Sequence, residues 1–249
     1  MEKKKIAISL NKDILKMVDA KVDGSRIRSR SQSIEVLVRR GLDSQTADTA
    51  VILLSKAHQK IAFEQFKTSF LLKQQADFFR GNMVSTIIIL AQDGGDENIE
   101  SELAKTGIEA QVRRTDKRFN GEALFSIRDS FCRDFIVMSG DIYNQFNLRS
   151  MVEKHMHKDK LATMGLITHR RPTKYGSVTL DGDFITDFQE KPKAASSHLI
   201  NAGIYLFKPE IFDVMHGVKS LEKDLFPKLS RMRQLIGYVT SGEYAHLGG

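Results

Sequence analysis

The sequence predicts an α/β protein in which a small head of one strand and two helices precedes a doubly wound, mostly parallel sheet. Two observations lead to this fold class. In residues 3–42, a two-residue hydrophobic alternation gives way to helical spacing. From residue 50 onward, short apolar runs of strand length alternate with segments of helix length. A polar segment separates the two patterns, so we expect domains over residues 1–42 and 50–249 joined by a linker, 43–49.

The head begins with a predicted half-buried strand over residues 3–10. Its two faces alternate, with Ile6, Ile8 and Leu10 on the apolar side and Lys5, Ala7 and Ser9 on the other. Asn11 is a good N-cap for a first helix, and the polar run that starts at Ser29 opens a second. One strand and two helices of this size cannot bury a core alone. We therefore expect a homodimer or higher homo-oligomer in which the strands of two copies pair antiparallel.

The positive charge of the chain is concentrated in this head. The whole chain has a formal net charge of +7, and residues 1–40 carry +6 of it, with eleven Lys or Arg against five Asp or Glu. A local excess of this kind favours contact with a polyanion. A two-stranded ribbon also fits the major groove of DNA.

Over residues 3–42 the order of strand, polar cap and helices resembles the ribbon-helix-helix family of DNA-binding domains. The resemblance implies that Lys5, Ala7 and Ser9 read bases. It implies further that Ser29, Arg30 and Ser31, at the start of the second helix, hold a backbone phosphate. Double-stranded DNA would then be the partner. The alternative is a basic dimerisation arm that binds no specific DNA.

Composition limits the possible locations. No apolar run approaches the roughly 20 residues of a membrane span, so we expect no membrane partner. Cys132 is the only cysteine, which rules out a disulfide within the chain and favours a reducing compartment. The predicted location is therefore the cytoplasm, with association to the nucleoid through the head.

The body is predicted to alternate strands and helices. Strands are expected at residues 50–54, 84–90, 108–113, 135–138, 162–167 and 199–207, with a hairpin over 175–192 around Asp181-Gly182. Helices are expected at residues 68–80, 98–105, 122–131 and 148–157. Asp141 follows the fourth strand directly. In open α/β sheets, ligands bind beside the carboxyl ends of the strands, which makes Asp141 a candidate site residue.

Spaced motifs in the body resemble those of the sugar-1-phosphate nucleotidyltransferases, such as glucose-1-phosphate thymidylyltransferase. The matching segments, in order, are residues 50–54, 121–124, 138–141, 175–176, 190–192, 201–205, 221–227 and 241–248. From this resemblance the candidate ligand-binding residues are Gly121, Asp141, Tyr175, Gly176, Glu190, Lys191, Asn201, Ala202 and Gly203. Asn and Glu suit sugar hydroxyls, and Lys191 suits a sugar phosphate. The alternative is that these residues only determine the fold.

The residues expected to hold the nucleotide depart from the family pattern. The Gly-Gly-x-Gly-Thr-Arg loop of the family is replaced by residues 55–60, which contain no glycine. His246 stands where the family has the second carboxylate of its metal site. Since Mg²⁺ prefers hard oxygen ligands, Asp141 and His246 are interpreted as the remnant of that site. We expect no catalytic residues, no bound metal and no cofactor.

The sequence therefore predicts a dimeric, DNA-binding transcriptional regulator. Its body is expected to have lost catalysis and to sense a sugar phosphate or nucleotide sugar, or to act as an oligomerisation scaffold. Two alternatives stay open. One is an active sugar-1-phosphate nucleotidyltransferase with an autoregulatory DNA-binding head. The other is a protein-binding module of the antitoxin or scaffold type.

Overall fold

The structure is a computed structural model that describes residues 6–24, 27–43, 47–95 and 99–248. The chain divides into two compact units, Met1–Gln45 and Thr46–Gly249. We call the first the N-terminal unit and the second the body.

Two packed helices form the N-terminal unit, α1 (Lys12–Asp19) and α2 (Arg30–Asp43). Asn11 caps α1, as predicted, because its side chain accepts a 2.9 Å hydrogen bond from the Asp13 amide. The buried Ser33 hydroxyl donates to the Val18 carbonyl at 2.8 Å and so ties α2 to α1. This hydrogen bond therefore contributes to the contact between the two helices.

The strand predicted for residues 3–10 is absent from its described part. Residues 6–10 form no strand, and residues 1–5 lie outside the described residues. A strand requires a partner backbone, and the described residues of a single chain offer none to this segment. Its apolar side chains stay exposed, with Ile6 at 79% and Ile8 at 51% of full exposure.

The body alternates strands and helices from Thr49 onward. Its strands are β1 (Thr49–Leu54), β2 (Gln65–Phe66), β3 (Ser69–Phe70), β4 (Thr86–Gln92), β5 (Gln111–Thr115), β6 (Phe135–Ser139), β7 (Ile142–Asn144), β8 (Ala162–Thr168), β9 (Gly176–Asp181), β10 (Phe184–Glu190), β11 (Leu199–Phe207), β12 (Leu235–Val239) and β13 (Tyr244–His246). Its helices are α3 (Lys56–Ala62), α4 (Leu71–Gly81), α5 (Ile99–Thr106), α6 (Asn120–Ser126), α7 (Leu148–Lys158), α8 (Ile211–Val214) and α9 (Phe226–Arg231). A π-helical turn, Leu221–Leu225, precedes α9.

Nine strands form the main sheet, in the order β5-β4-β1-β6-β11-β8-β12-β10-β9. Strands β5, β4, β1 and β6 are parallel, and so are β8 and β12. Strand β11 runs antiparallel to both β6 and β8, and the β9–β10 hairpin is antiparallel as well. The expectation of a mostly parallel sheet is therefore wrong. The sheet is mixed because a hairpin and a reversed strand are inserted beyond β6.

The register of the parallel strands brings their carboxyl ends to one edge. Leu53 of β1 pairs with Ser139 of β6, and Leu54 pairs with Ala91 of β4. The Gly140 amide then donates to the Leu53 carbonyl at 2.9 Å. A Cβ at Gly140 would lie only 2.8 Å from that carbonyl oxygen, so the close approach of the two strand tips requires glycine.

Both faces of the sheet are covered by apolar side chains. On one face, the ring of Phe135 stacks on Phe131 with centroids 3.9 Å apart and on Phe212 at 5.6 Å. On the other face, Ile52 and Leu54 pack in a cluster with residues of α4, including the fully buried Phe79. Burial on both faces agrees with the continuous apolar runs of β1 and β6.

Several elements differ from the predicted ones at loops and helix starts. Helix α3 follows β1 at once because Ser55 caps it by accepting from the His58 amide, and it was not predicted. The helix expected over residues 68–80 starts only at Leu71, since β2 and β3 form a small hairpin before it. Among the described residues, no helix is both long and apolar enough to cross a lipid bilayer.

The stacked rings give a test of the core. We expect Phe135→Ala to lower the free energy of unfolding by about 3–5 kcal/mol, because it leaves a cavity among buried rings. The matched control is Phe119→Ala, whose ring is 42% exposed, with an expected loss of about 0.5 kcal/mol or less. Urea denaturation of both variants measures the difference. Equal losses would contradict the described packing.

Candidate functional site

The candidate site lies where the tips of β1 and β6 meet the start of β11. Asp141 follows β6, and β11 runs antiparallel to β6 with Ile204 opposite Met138. That register brings residues 201–203 to the same edge as Asp141. Gly203 has φ +70°, and a Cβ there would lie 2.7 Å from the Ile142 side chain, so glycine is required at this contact.

Asp141 is the buried centre of the site, with 6% of its side chain exposed. Its Oδ2 lies 3.0 Å from Nε2 of His246 and 3.3 Å from Nε2 of His58. The β7–β13 pairing places His246 opposite Ile142, next to Asp141, and α3 supplies His58. We call these three residues the His–Asp–His cluster.

The two imidazoles determine the ionisation of Asp141. Burial alone would raise the pKa of this carboxyl group. The hydrogen bond from His246 and the charges of both imidazoles outweigh that effect and hold the pKa of Asp141 below its ordinary value of 3.8. Asp141 is therefore an ionised, internally partnered carboxylate at neutral pH.

A buried glutamine fixes the turn that carries Asp141. Nε2 of Gln75, on α4, donates to the Ser139 carbonyl at 3.0 Å and to the Ile142 carbonyl at 2.6 Å. The Leu247 amide donates to the Asp141 carbonyl at 2.9 Å. The turn is thus held from two elements that are distant in sequence.

The hairpin β9–β10 brings further predicted residues to this edge. Glu190 pairs with Gly176, and the Lys191 amide donates to the Tyr175 carbonyl at 3.1 Å. The ring of Tyr175 meets that of His246 edge-on, with centroids 5.6 Å apart. The hairpin therefore adjoins the His–Asp–His cluster.

Glu190 has an environment opposite to that of Asp141. Its burial and the nearby Glu222 raise the pKa of Glu190, against the charges of Lys191 and Lys223. Glu222 itself accepts hydrogen bonds from Nδ2 of Asn120 at 2.9 and 3.1 Å. The site thus contains a second carboxyl group that takes up a proton more readily than an exposed glutamate.

Three predicted ligand residues have structural contacts of their own. Asn201 donates from Nδ2 to the Tyr205 hydroxyl at 2.8 Å and accepts from the Gly203 amide at 2.9 Å. Ala202 is fully buried in the apolar core. The buried Gly121 donates its amide to the Lys219 carbonyl at 2.8 Å. Their roles in ligand binding stay predictions, and contact with Ala202 or Gly121 would involve backbone atoms.

A small cleft of about 40 Å³ shares the tip of β1 with the Asp141 turn. Its lining residues come from β1, β4, β5 and the start of α6: Leu53, Leu54, Ser55, Leu90, Gln92, Thr115, Lys117, Arg118, Phe119, Asn120 and Ala123. Two of them, Lys117 and Arg118, are cations. The cleft therefore combines an apolar floor with positive charge, and the sequence did not reveal it.

Two further residues of this region were not among the predicted site residues. The ammonium of Lys67 lies 4.3 Å from the centre of the Tyr143 ring and is ion-paired with Glu243. His58 joins Asp141 although no local motif connects them. The sequence indicated them only through a basic, glycine-free segment after β1, because their contacts join segments that are distant along the chain.

The donor atoms of the cluster do not fit the magnesium site that the family resemblance implies. Mg²⁺ takes oxygen ligands in near-octahedral geometry, whereas the cluster supplies one carboxylate and two imidazole nitrogens. Within the described ranges, no group of three or more His, Cys, Asp or Glu side chains is arranged to hold a metal ion.

The predicted DNA-contacting residues lie in the N-terminal unit. Lys5 is outside the described residues, while Ala7, Ser9 and Ser31 are exposed. The Ser29 hydroxyl accepts from the Gln32 amide at 3.2 Å. The Arg30 guanidinium pairs with Asp19 at 2.7 Å, so its charge is already partnered within the unit. The roles predicted for these residues in contacting DNA stay predictions.

Comparisons with known proteins concern the body. Residues 54–241 match the family described as nucleotidyl transferase. Mannose-1-phosphate guanylyltransferase catalytic subunit beta of Drosophila melanogaster is 33% identical over 117 residues, which are 46% of this chain and 31% of that protein. Mannose-1-phosphate guanylyltransferase 1 of Arabidopsis thaliana is 32% identical over 117 residues, 46% of this chain and 32% of that protein. The chain thus covers about a third of the length of these relatives.

The fold of the body also matches solved structures. A UDP-glucose pyrophosphorylase complexed with UDP-glucose superposes with a TM-score of 0.67 and 15% identity, covering 82% of this chain and 94% of that one. At this identity the match concerns the fold alone. It confirms the α/β fold expected from the body's motifs. Neither the family match nor these relatives support a ribbon-helix-helix head.

These findings contradict the predicted function. A DNA-binding transcriptional regulator with a catalytically inactive body is wrong, because the family and the relatives named above are nucleotidyltransferases. The prediction of lost catalysis relied on the missing glycine loop and on His246 in place of a carboxylate. That loop is one way to hold phosphate, and its absence leaves the strand-tip site and the adjacent cationic cleft in place.

The His–Asp–His cluster predicts a pH-dependent contribution to stability. Because the pKa of Asp141 is lower in the folded than in the unfolded chain, its contribution is present above about pH 3.8 and is lost as the pH falls through the folded value. We expect Asp141→Asn to cost about 1–3 kcal/mol of unfolding free energy at pH 6. This cost should shrink towards pH 2.5.

Chemical denaturation of the wild type and the variant between pH 2.5 and pH 6 measures that cost. Asp213→Asn is the control, since Asp213 is exposed on α8, and its cost should be small throughout. A cost of Asp141→Asn that is independent of pH would show that the carboxylate is not held ionised by the imidazoles.

Proposed function

Because the chain belongs to the nucleotidyl transferase family, we propose that its body transfers a nucleotidyl group from a nucleoside triphosphate to a sugar 1-phosphate. An oxygen of the sugar phosphate forms a bond to the α-phosphorus. The bond from that phosphorus to the oxygen bridging the α- and β-phosphates breaks, and pyrophosphate leaves. The names of the two guanylyltransferase relatives make GTP and mannose 1-phosphate the first substrate pair to test.

The observation that carries this proposal is the convergence of two kinds of surface at the tip of β1. One is the cleft with Lys117 and Arg118, where cations and an apolar floor suit a nucleotide. The other is the edge with Asp141, Tyr175 and the β9–β10 hairpin. A nucleoside triphosphate in the cleft and a sugar 1-phosphate at this edge would meet at the strand tips, where α/β sheets bind ligands.

We assign the acceptor contacts to the end of β10. Lys191 follows Glu190 and has φ +46°, a conformation uncommon for a non-glycine residue. Its backbone is fixed by the hydrogen bond to Tyr175, so the side chain leaves the sheet edge at a defined place. An ammonium suits the acceptor phosphate, while a partly buried Glu190 suits a sugar hydroxyl.

A coupled assay of pyrophosphate release from GTP and mannose 1-phosphate tests the activity. We expect Lys191→Ala to lower kcat/KM by about 10–100-fold, because it removes a charge-assisted contact to phosphate. Lys193→Ala is the control, an exposed lysine two residues further on, with an expected change below about twofold.

The panel should also include other nucleoside triphosphates and hexose 1-phosphates, because the relatives match only part of this chain. Absence of pyrophosphate release with every pair would overturn the proposed activity. Release that is equally fast in wild type and Lys191→Ala would remove Lys191 from the site.

We further propose that the N-terminal unit associates with the same unit of a second copy. Across the described residues, six of the ten exposed large hydrophobic side chains belong to this unit: Ile6, Ile8, Leu10, Ile14, Met17 and Val38. Residues 6–10 also lack strand partners, and their apolar side chains alternate. Antiparallel pairing with an identical segment would satisfy both the backbone groups and the apolar face.

Ile8→Asp and Ala7→Asp form a matched pair for this association. Each introduces one carboxylate, but Ile8 belongs to the apolar face and Ala7 to the opposite one. We expect Ile8→Asp to weaken self-association of the full chain by at least about 100-fold, since two isoleucines lose their burial. Ala7→Asp should stay close to the wild type. Analytical ultracentrifugation measures both, and a monomeric wild type would contradict the proposal.

A further inference from the structure

The two imidazoles of the His–Asp–His cluster converge on a single carboxylate oxygen. Nε2 of His246 and Nε2 of His58 approach the same Oδ2 of Asp141, at 3.0 and 3.3 Å. They reach it from different elements, the strand β13 and the helix α3. The same carboxylate oxygen is therefore in contact with a ring nitrogen from each of two elements, which leaves less of it accessible to another ligand.

The chain also closes the remaining approach to Oδ2. A Cβ at Gly248 would overlap Oδ2, and the Leu247 amide holds the Asp141 carbonyl. The backbone at residues 247–248 therefore lies directly against the carboxylate. With 6% of its side chain exposed, Asp141 has little surface left for a hydrated cation.

His58 is held in this contact at a cost. Its Nδ1 is buried and has no hydrogen-bond partner among the described residues. An unpaired buried polar atom lowers the stability of the folded chain. Nε2 of the same ring lies 3.3 Å from Oδ2 of Asp141, a contact that favours this position of His58.

We propose that His58 and His246 replace a divalent cation as the partners of Asp141, so that the site binds the phosphates of its ligand without a metal ion on this carboxylate. The inference deepens the proposed nucleotidyl transfer and rests on it for the identity of the ligand. A Mg²⁺ ion that accompanies a nucleoside triphosphate would be held by phosphate oxygens and water. The imidazoles would remain the partners of Asp141 while the anionic phosphates approach.

Titration of the full chain with Mn²⁺, followed by the electron paramagnetic resonance signal of the free ion, tests the inference without turnover. We expect the wild type to show no saturable binding up to about 1 mM, within the range of weak carboxylate sites. His246→Asp creates a second carboxylate beside Asp141 and should bind Mn²⁺ at least tenfold more tightly than the wild type. His246→Asn is the matched control without the charge and should behave like the wild type.

Two results would overturn the inference. One is stoichiometric binding of Mn²⁺ or Zn²⁺ by the wild type that is lost in Asp141→Asn. The other is a folded His246→Asp variant, verified by circular dichroism, that binds Mn²⁺ no better than His246→Asn. Should His246→Asp fail to fold, the comparison of wild type with Asp141→Asn still decides.

Binding of GTP provides a second test of the inference. Its dissociation constant, measured by calorimetry, should change less than about threefold between Mg²⁺ and EDTA if Asp141 recruits no cation. A loss of tenfold or more in EDTA that disappears in Asp141→Asn contradicts the inference. Pyrophosphate release that is absent with every substrate pair would overturn the proposed function, and the Mn²⁺ titration would still decide this inference.

Discussion

The position of β1 between β4 and β6 is the constraint on which the candidate site depends. Parallel pairing on both sides brings three carboxyl ends to one edge, and the Gly140 amide joins the tips of β1 and β6 at the Leu53 carbonyl. Because β1 passes directly into α3, the same contact brings His58 within reach of Asp141. Without glycine at 140, the tips would separate, and both the His–Asp–His cluster and the shared wall of the cleft would lose their geometry.

The two carboxyl groups of the site show how the environment sets different chemistry on one edge. The two imidazoles lower the pKa of the buried Asp141. Burial and the nearby Glu222 raise the pKa of Glu190. The first therefore stays charged, and the second accepts a proton more readily. Such a pair suits an anionic ligand that also carries hydroxyl groups, since one carboxyl group is already partnered within the chain and the other adds less negative charge.

Most of the body's strands could be predicted because each is a continuous apolar run buried on both faces, as in β1, β6 and β11. The hairpin turn at Gly182 and the strand-tip position of Asp141 also followed from local sequence. The contact of His58 with Asp141 could not, since it depends on the pairing of distant strands. The cleft and the reversed direction of β11 were missed for the same reason. The functional prediction failed because it took the missing glycine loop and the histidine at position 246 as evidence that catalysis was lost.

The substitution of His246 for a carboxylate changes the electrostatic requirement at the strand tip. Two adjacent carboxylates repel each other and the phosphates of a ligand, and a divalent cation relieves both repulsions. One carboxylate with two imidazole partners carries less negative charge than two carboxylates do, so the repulsion that a cation would relieve is smaller. Lys117 and Arg118, the cations of the neighbouring cleft, would also reduce the repulsion of a ligand's phosphates. The absence of glycines after β1 is consistent with this arrangement, because side-chain charges can hold phosphate where close backbone approach is not available.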